Sequence, residues 1–215
     1  MSGPAVISVA RAGVEAAASA AAEALEAGGL VVLPTDTVYG LAASLRRPDA
    51  IRAVFAAKRR PEGMALPVLV ASPEDAERLV PGALDAHDAV LRRWWPGALT
   101  VIVPASAQLP PAVTAGRTTV GLREPDHPVA VAILHAAGGA LAVTSANISG
   151  DPSAREIADL PEELLHQVAV VIDAGRCPGG TASTVLDLAA HPPRVLREGA
   201  IPASSLREFL PDLVG

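Results

Sequence analysis

Gly28-Gly29-Leu30-Val31-Val32-Leu33-Pro34-Thr35-Asp36-Thr37-Val38-Tyr39-Gly40-Leu41 holds one structural unit of this chain. Four apolar residues bounded by glycine and proline read as a short buried strand, Leu30–Leu33. The alanine-rich run before it reads as a helix closed by a glycine cap. Two threonines and an aspartate follow the strand. Helix, strand and polar loop recur downstream. Residues 48–58 predict a helix with Pro48 in its first turn, and 66–71 predict a strand. Ser72 opens another helix as a capping residue with Glu74 and Asp75 behind it. Helices are predicted over 84–95, 129–137 and 154–165. Strands are predicted over 98–103, 119–122, 140–144, 168–173, 184–188 and 194–197. Alternation of this kind indicates an α/β sheet. The close spacing of the last strands makes it a mixed sheet. No linker or internal repeat marks a boundary, so one domain over 1–215 is expected.

Half of the 215 residues are hydrophobic, yet only two Trp, one Tyr and two Phe are aromatic. Ala, Val and Leu must therefore build the core, which suits a closely packed α/β body. The single cysteine, Cys177, excludes an internal disulfide framework and a clustered cysteine zinc site. The five histidines show no ligand spacing, so no protein-held metal is expected. Residues 1–11 lack the pattern of a secretory signal, and no run is long and apolar enough to span a bilayer. A soluble, cytoplasmic protein with no membrane partner is expected. The net charge of −6 argues against a general phosphate-backbone binder. Six of the 17 basic residues nevertheless crowd into 46–60, which suits a small anionic ligand.

No G-x-x-x-x-G-K-[ST] loop, no G-x-G-x-x-G after the first strand and no G-x-S-x-G elbow occurs. Polar chemistry gathers instead in five segments: 34–40, Lys58-Arg59-Arg60-Pro61, Thr119-Val120-Gly121-Leu122-Arg123, 143–153, and Ser183-Thr184 with Arg197-Glu198-Gly199. Each alone has a bland explanation. Thr and Asp favour turns. Basic residues complement a helix C-terminus. An arginine at a strand end pairs with a rim carboxylate. The functional alternatives are phosphate binding by lysine and arginine, and carboxylate binding by the arginine fork.

Together and in this order, the segments resemble the threonylcarbamoyl-AMP synthase family, also called YrdC-like. Its signatures P-T-[DE]-T-x-Y-G-L, K-x-R-P, W-P-G-x-L-T, the arginine before P-x-H-P, S-x-N and S-T-[IV] stand here at 34–41, 58–61, 95–100, 123–128, 145–147 and 183–185. Arg197 and Gly199 keep the terminal Arg-x-Gly. The likeness runs from about 28 to 201. It implies a twisted mixed α/β sheet with flanking helices around a large concave cavity. It also implies an L-threonylcarbamoyladenylate synthase, a nucleotidyltransferase. L-threonine, bicarbonate and ATP, with Mg²⁺, would give the adenylate and pyrophosphate. A tRNA-modifying threonylcarbamoyl transferase complex would carry the group to adenosine 37 of tRNAs reading codons that begin with A. A weak direct contact with tRNA stays open.

Carried over by position, Thr37, Arg123, Val143 (through its backbone) and Ser183 would hold threonine. Lys58, Arg60, Thr119, Ser145, Asn147, Ser153 and Arg197 would hold ATP, with Lys58 and Arg60 stabilising charge in the reaction. Positioning and charge stabilisation, without a covalent enzyme intermediate, would drive it. Met64, Ala65 and Thr181-Ala182 depart from the usual residues, so any contact at Met64 should run through the backbone. The chain ends soon after Arg197, as in the short form of the family. Two rivals are a paralogue, including the similar domain of hydrogenase maturation proteins, and a noncatalytic RNA-binding module. The first is separated by preference for threonine. The second is disfavoured by net charge and by too few aromatics for base stacking.

Overall fold

The structure, a computed structural model, describes residues 3–59, 61 and 63–214. Among these residues ten strands form one sheet: β1 (Ala5–Ser8), β2 (Leu30–Leu33), β3 (Gly40–Ser44), β4 (Val68–Val70), β5 (Leu99–Pro104), β6 (Thr119–Arg123), β7 (Ala140–Ser145), β8 (Val168–Asp173), β9 (Thr184–Asp187) and β10 (Arg194–Arg197). The helices are α1 (Val9–Ala12), α2 (Val14–Glu26), α3 (Pro48–Ala57), α4 (Pro73–Leu79), α5 (Asp88–Trp94), α6 (Pro111–Thr114), α7 (Pro128–Ala136), α8 (Glu162–Leu165) and α9 (Ala203–Arg207). The strand order is β1-β8-β2-β3-β7-β4-β6-β5-β9-β10. The pairs β1/β8, β8/β2, β4/β6 and β5/β9 are parallel and the other five antiparallel. The sheet is mixed, as expected.

The apolar run of β2 is explained by burial on both faces. Val31 and Leu33 pack with Ala17, Ala21 and Leu25 of α2 and with Ile133 and Leu134 of α7. Leu30 and Val32 join the opposite cluster, which holds Ile51, Val54 and Phe55 of α3. Alanine at 17, 18 and 21 gives α2 a flat buried stripe that lets its backbone lie close to the sheet. Gly28, at φ +87°, ends this helix in the left-handed region, and Gly29 N–H donates to the Ala24 carbonyl at 2.8 Å. Leu141 of β7 is fully buried against α2 and α7. Leu141→Ala should cost about 2–5 kcal/mol through lost burial and a residual cavity. Leu141→Met should cost under about 1.5 kcal/mol. Denaturant midpoints at unchanged slope would check both.

Two predicted helices are broken. Over 154–165 the chain forms a 3₁₀ turn at Ile157–Asp159, closed by a capping box of Glu156 and Asp159, and then the one-turn α8. Pro161 between them lacks an N–H and drives Leu160 into extended backbone. Over 84–95 a 3₁₀ turn at Asp85–His87 precedes α5. Two strands went unread. β1 is a partly exposed edge strand. β3, Gly-Leu-Ala-Ala-Ser, carries little strand propensity but is fully buried between β2 and β7. Among the described residues no helix is long and apolar enough to cross a membrane.

Candidate ligand cleft

β7 runs antiparallel to β4, and β4 parallel to β6, with Val68 opposite both Ala142 and Leu122. The C-terminal end of β7 and the N-terminal ends of β4 and β6 therefore share one edge of the sheet. Ser145 and Thr119 stand at that edge, and Arg123 stands at the other end of β6. A concave cavity of about 510 Å³ opens over these strands and over β5, β9 and β10. Thr37, Arg123, Val143 and Ser183 all line it, and so do Thr119, Ser145, Ser153 and Arg197. Four stretches far apart in the chain thus deliver eight of the eleven expected site residues to one cavity.

Arg123 is the best-fixed of these. Its side chain is 7% exposed. Nε donates to the Gly97 carbonyl at 2.8 Å, Nη1 to Thr37 Oγ1 at 3.0 Å and Nη2 to Asp36 Oδ1 at 2.5 Å. Burial pulls the guanidinium below its ordinary pKa while Asp36 opposes that pull, and an arginine so held stays charged. Asp36 Oδ1 also accepts from the Asp126 N–H at 3.2 Å. The threonine–aspartate loop after β2 is a turn as well as a clamp. Thr35 Oγ1 donates to the Val38 carbonyl at 2.6 Å and accepts the N–H groups of Thr37 and Val38 at 3.2 Å each. Gly179 and Gly180 lay their N–H groups on the carbonyls of Asp36 and Thr37 at 3.0 and 2.7 Å.

On the far wall, Ser183 Oγ shares a 2.8 Å hydrogen bond with Thr100, and Arg197 Nη2 donates to the Ser183 carbonyl at 2.8 Å. Burial lowers the Arg197 pKa as well. Gly199 supports this corner by close approach, since a Cβ there would overlap the Ala182 carbonyl. Gly199→Ala should therefore displace 182–183 and the Arg197 contact. We expect a loss of stability of about 1–3 kcal/mol, as for overpacking generally, read by thermal unfolding.

Lys58 and Asn147 lie behind the wall and not on it. Lys58 is 2% exposed. Its Nζ donates to the Ser145 carbonyl, to the Asn147 carbonyl at 2.6 Å and to Asn147 Oδ1 at 3.1 Å. Its own carbonyl accepts the Ser149 N–H at 3.0 Å. Asn147 Oδ1 also accepts from Ser145 Oγ at 2.5 Å, and its amide donates to the carbonyls of Ile148 and Asp151 at 2.9 and 2.7 Å. The lysine thus fastens the loop after β7 from beneath. Arg60, the other cation assigned to charge stabilisation, lies outside the described residues.

Sequence reasoning missed Thr35, Asp36 and Thr100 as partners, and Arg117 as a cavity cation. Asp36 was visible inside its motif, but nothing in the spacing relates it to Arg123. Tyr39, in the same motif, is fully buried and donates its hydroxyl to the Gly175 carbonyl at 2.6 Å. Burial pushes its pKa from 10.0 up to about 12. Its protonated form is favoured in the fold, so its contribution is complete below pH 10.0 and is lost as pH rises to about 12. Tyr39→Phe should be less stable by about 0.5–1.5 kcal/mol at neutral pH, for the lost hydrogen bond. That gap should close across the alkaline window in parallel urea titrations.

The class these features define is an α/β protein with a polar ligand cleft walled by arginines. The chain belongs to the Sua5/YciO/YrdC family, whose model, described as telomere recombination, matches residues 23–199. It is 40% identical over 182 residues to the threonylcarbamoyl-AMP synthase of Bacillus subtilis, across 84% of this chain and 53% of that protein. It is 40% identical over 187 residues to the putative threonylcarbamoyl-AMP synthase of Mycobacterium tuberculosis strain H37Rv, across 87% and 86%. The crystal structure of Pyrococcus abyssi Sua5 complexed with L-threonine superposes with a TM-score of 0.87 at 34% identity, across 92% of this chain and 58% of that one. The chain thus spans little more than half the length of the Bacillus and Pyrococcus relatives.

Proposed function

We propose that this chain is an L-threonylcarbamoyladenylate synthase, a nucleotidyltransferase acting on L-threonine, bicarbonate and ATP. The observation that carries the reading is Arg123, a buried cation lining the cavity with its plane set by Asp36, Thr37 and Gly97. A guanidinium held in this way needs little reorganisation to meet a carboxylate. The names of the relatives, and the threonine in the Pyrococcus complex, agree with it.

In this reading Arg123 takes the threonine carboxylate, with Thr37 and Ser183 hydroxyls and the Val143 backbone around the rest of the amino acid. Thr119, Ser145, Ser153 and Arg197 face the nucleotide. Asn147 and Lys58 act one layer back: they hold Ser145 and its loop in place, so Lys58 is a positioning residue. Arg60 keeps the phosphate role its motif suggests. The amine and bicarbonate condense with loss of water to a carbamate, whose oxygen attacks the α-phosphorus as pyrophosphate leaves. The chain orients the reactants and stabilises charge. Mg²⁺ fits as a companion of the phosphates. Among the described residues the cavity oxygens are mainly hydroxyls, and the lining carboxylate, Asp187, already pairs with Arg194 at 3.3 Å. Such an ion keeps several waters and supplies neutralisation of phosphate charge. The product would pass in the cytoplasm to a tRNA-modifying transferase complex.

Pyrophosphate release from ATP, Mg²⁺ and bicarbonate should depend on L-threonine and yield a labile adenylate. Equal release with serine and alanine, or none with threonine, would overturn the reading in favour of a paralogue.

A further inference from the structure

Among the described residues three arginines line the cavity, in a chain of net charge −6, and they are not equivalent. Arg123 is paired with Asp36. Arg197 is tied to the Ser183 carbonyl. Arg117 is exposed, and Nη2 donates to the Gly63 carbonyl at 3.3 Å, a long bond to a neutral acceptor. Among the described residues no carboxylate pairs with it.

Its position in the sheet is informative. Arg117 stands two residues before β6, and Gly63 lies in the segment leading into β4. The two strands start at the same edge as Ser145 on β7. Arg123 is at the other end of β6. Four residue steps separate Thr119 from Arg123, about 13 Å of extended strand. A ligand anchored by its carboxylate at Arg123 and running along β6 would bring its far end to Arg117. Uncompensated positive charge at a cavity rim favours an anion there, and a guanidinium fork suits phosphate oxygens.

We propose that Arg117 is a further nucleotide-positioning residue that grips the polyphosphate of the triphosphate, away from the reacting carbamate. This rests on the synthase reading for the orientation of the ligand, but not for its test. Its single bond to Gly63 is easily exchanged for phosphate oxygens, and that exchange would leave the segment before β4 against the same phosphates.

The test is direct binding of Mg²⁺-ATP, pyrophosphate and AMP to the full chain by calorimetry, comparing wild type, Arg117→Ala and Arg117→Lys. Arg117→Ala should weaken ATP and pyrophosphate about tenfold while AMP changes less than about twofold. Arg117→Lys should recover much of the loss, because a point charge still meets phosphate. Thermal midpoints should coincide, since an exposed side chain contributes little to stability. Equal weakening of ATP and AMP, or no weakening of ATP, would overturn the assignment. If wild type binds ATP yet releases no threonine-dependent pyrophosphate, the synthase reading fails while the ATP-to-AMP ratio still judges Arg117.

Discussion

Arg123→Ala should reduce threonine-dependent kcat/KM by about 10²–10⁴-fold. Two charge-assisted hydrogen bonds to a carboxylate are worth roughly 1.5–3 kcal/mol each, and their sum converts to that range at about 1.4 kcal/mol per tenfold. The fold should suffer as well. Removing the guanidinium leaves Asp36, whose side chain is only 13% exposed, without its cation. Breaking such a buried pair typically costs about 3–5 kcal/mol. Arg123→Lys separates the two effects, because it keeps a charge beside Asp36 but loses the fork. Its thermal midpoint should recover most of the loss, while the KM for threonine stays raised about 10–100-fold. A lysine variant with wild-type KM would remove Arg123 from the threonine site.

Lys58→Met tests the loop after β7 in the same way. Methionine keeps the apolar stem of the side chain but leaves the Ser145 and Asn147 carbonyls without their shared donor. Unsatisfied buried acceptors cost about 1–3 kcal/mol each, so a destabilisation of about 2–4 kcal/mol is expected. Turnover should fall about 10²-fold, because small displacements of a positioning loop have that effect, whereas the KM for threonine, which we propose Arg123 governs, should move little. Lys58→Arg should not restore turnover, since a planar fork cannot aim three donors at converging acceptors as an ammonium does. Wild-type stability and turnover in Lys58→Met would sink this account.

Much of the site was legible before the fold. The strand at 30–33 announced itself as an apolar run between Gly and Pro, because burial on both faces forbids polar residues there. The polar loops after the strands carry most of the expected side chains to the cavity. Other features were hidden for physical reasons. β3 is a strand because β2 and β7 pair with its backbone on both edges, and Gly-Leu-Ala-Ala-Ser has no pattern that would reveal this. The stretch 154–165 has helical composition, and one proline outweighed it.

By itself, then, the sequence determined the succession of elements, the α/β class and the chemical types that meet in the cleft, because periodicity, caps and breakers act over a few residues. Tertiary structure decided what each type does. Asp36 and Arg123 stand 87 positions apart, and three strands separate β2 from β6 in the sheet, so only the folded chain lays the loop after β2 against the end of β6. The motif around Lys58 suggests a phosphate cation, and the fold turns its ammonium under Ser145 and Asn147, where carbonyls converge. The reason is general: a charge takes its role from the dipoles and charges within a few ångströms of it, and strand pairing between distant segments sets those neighbours.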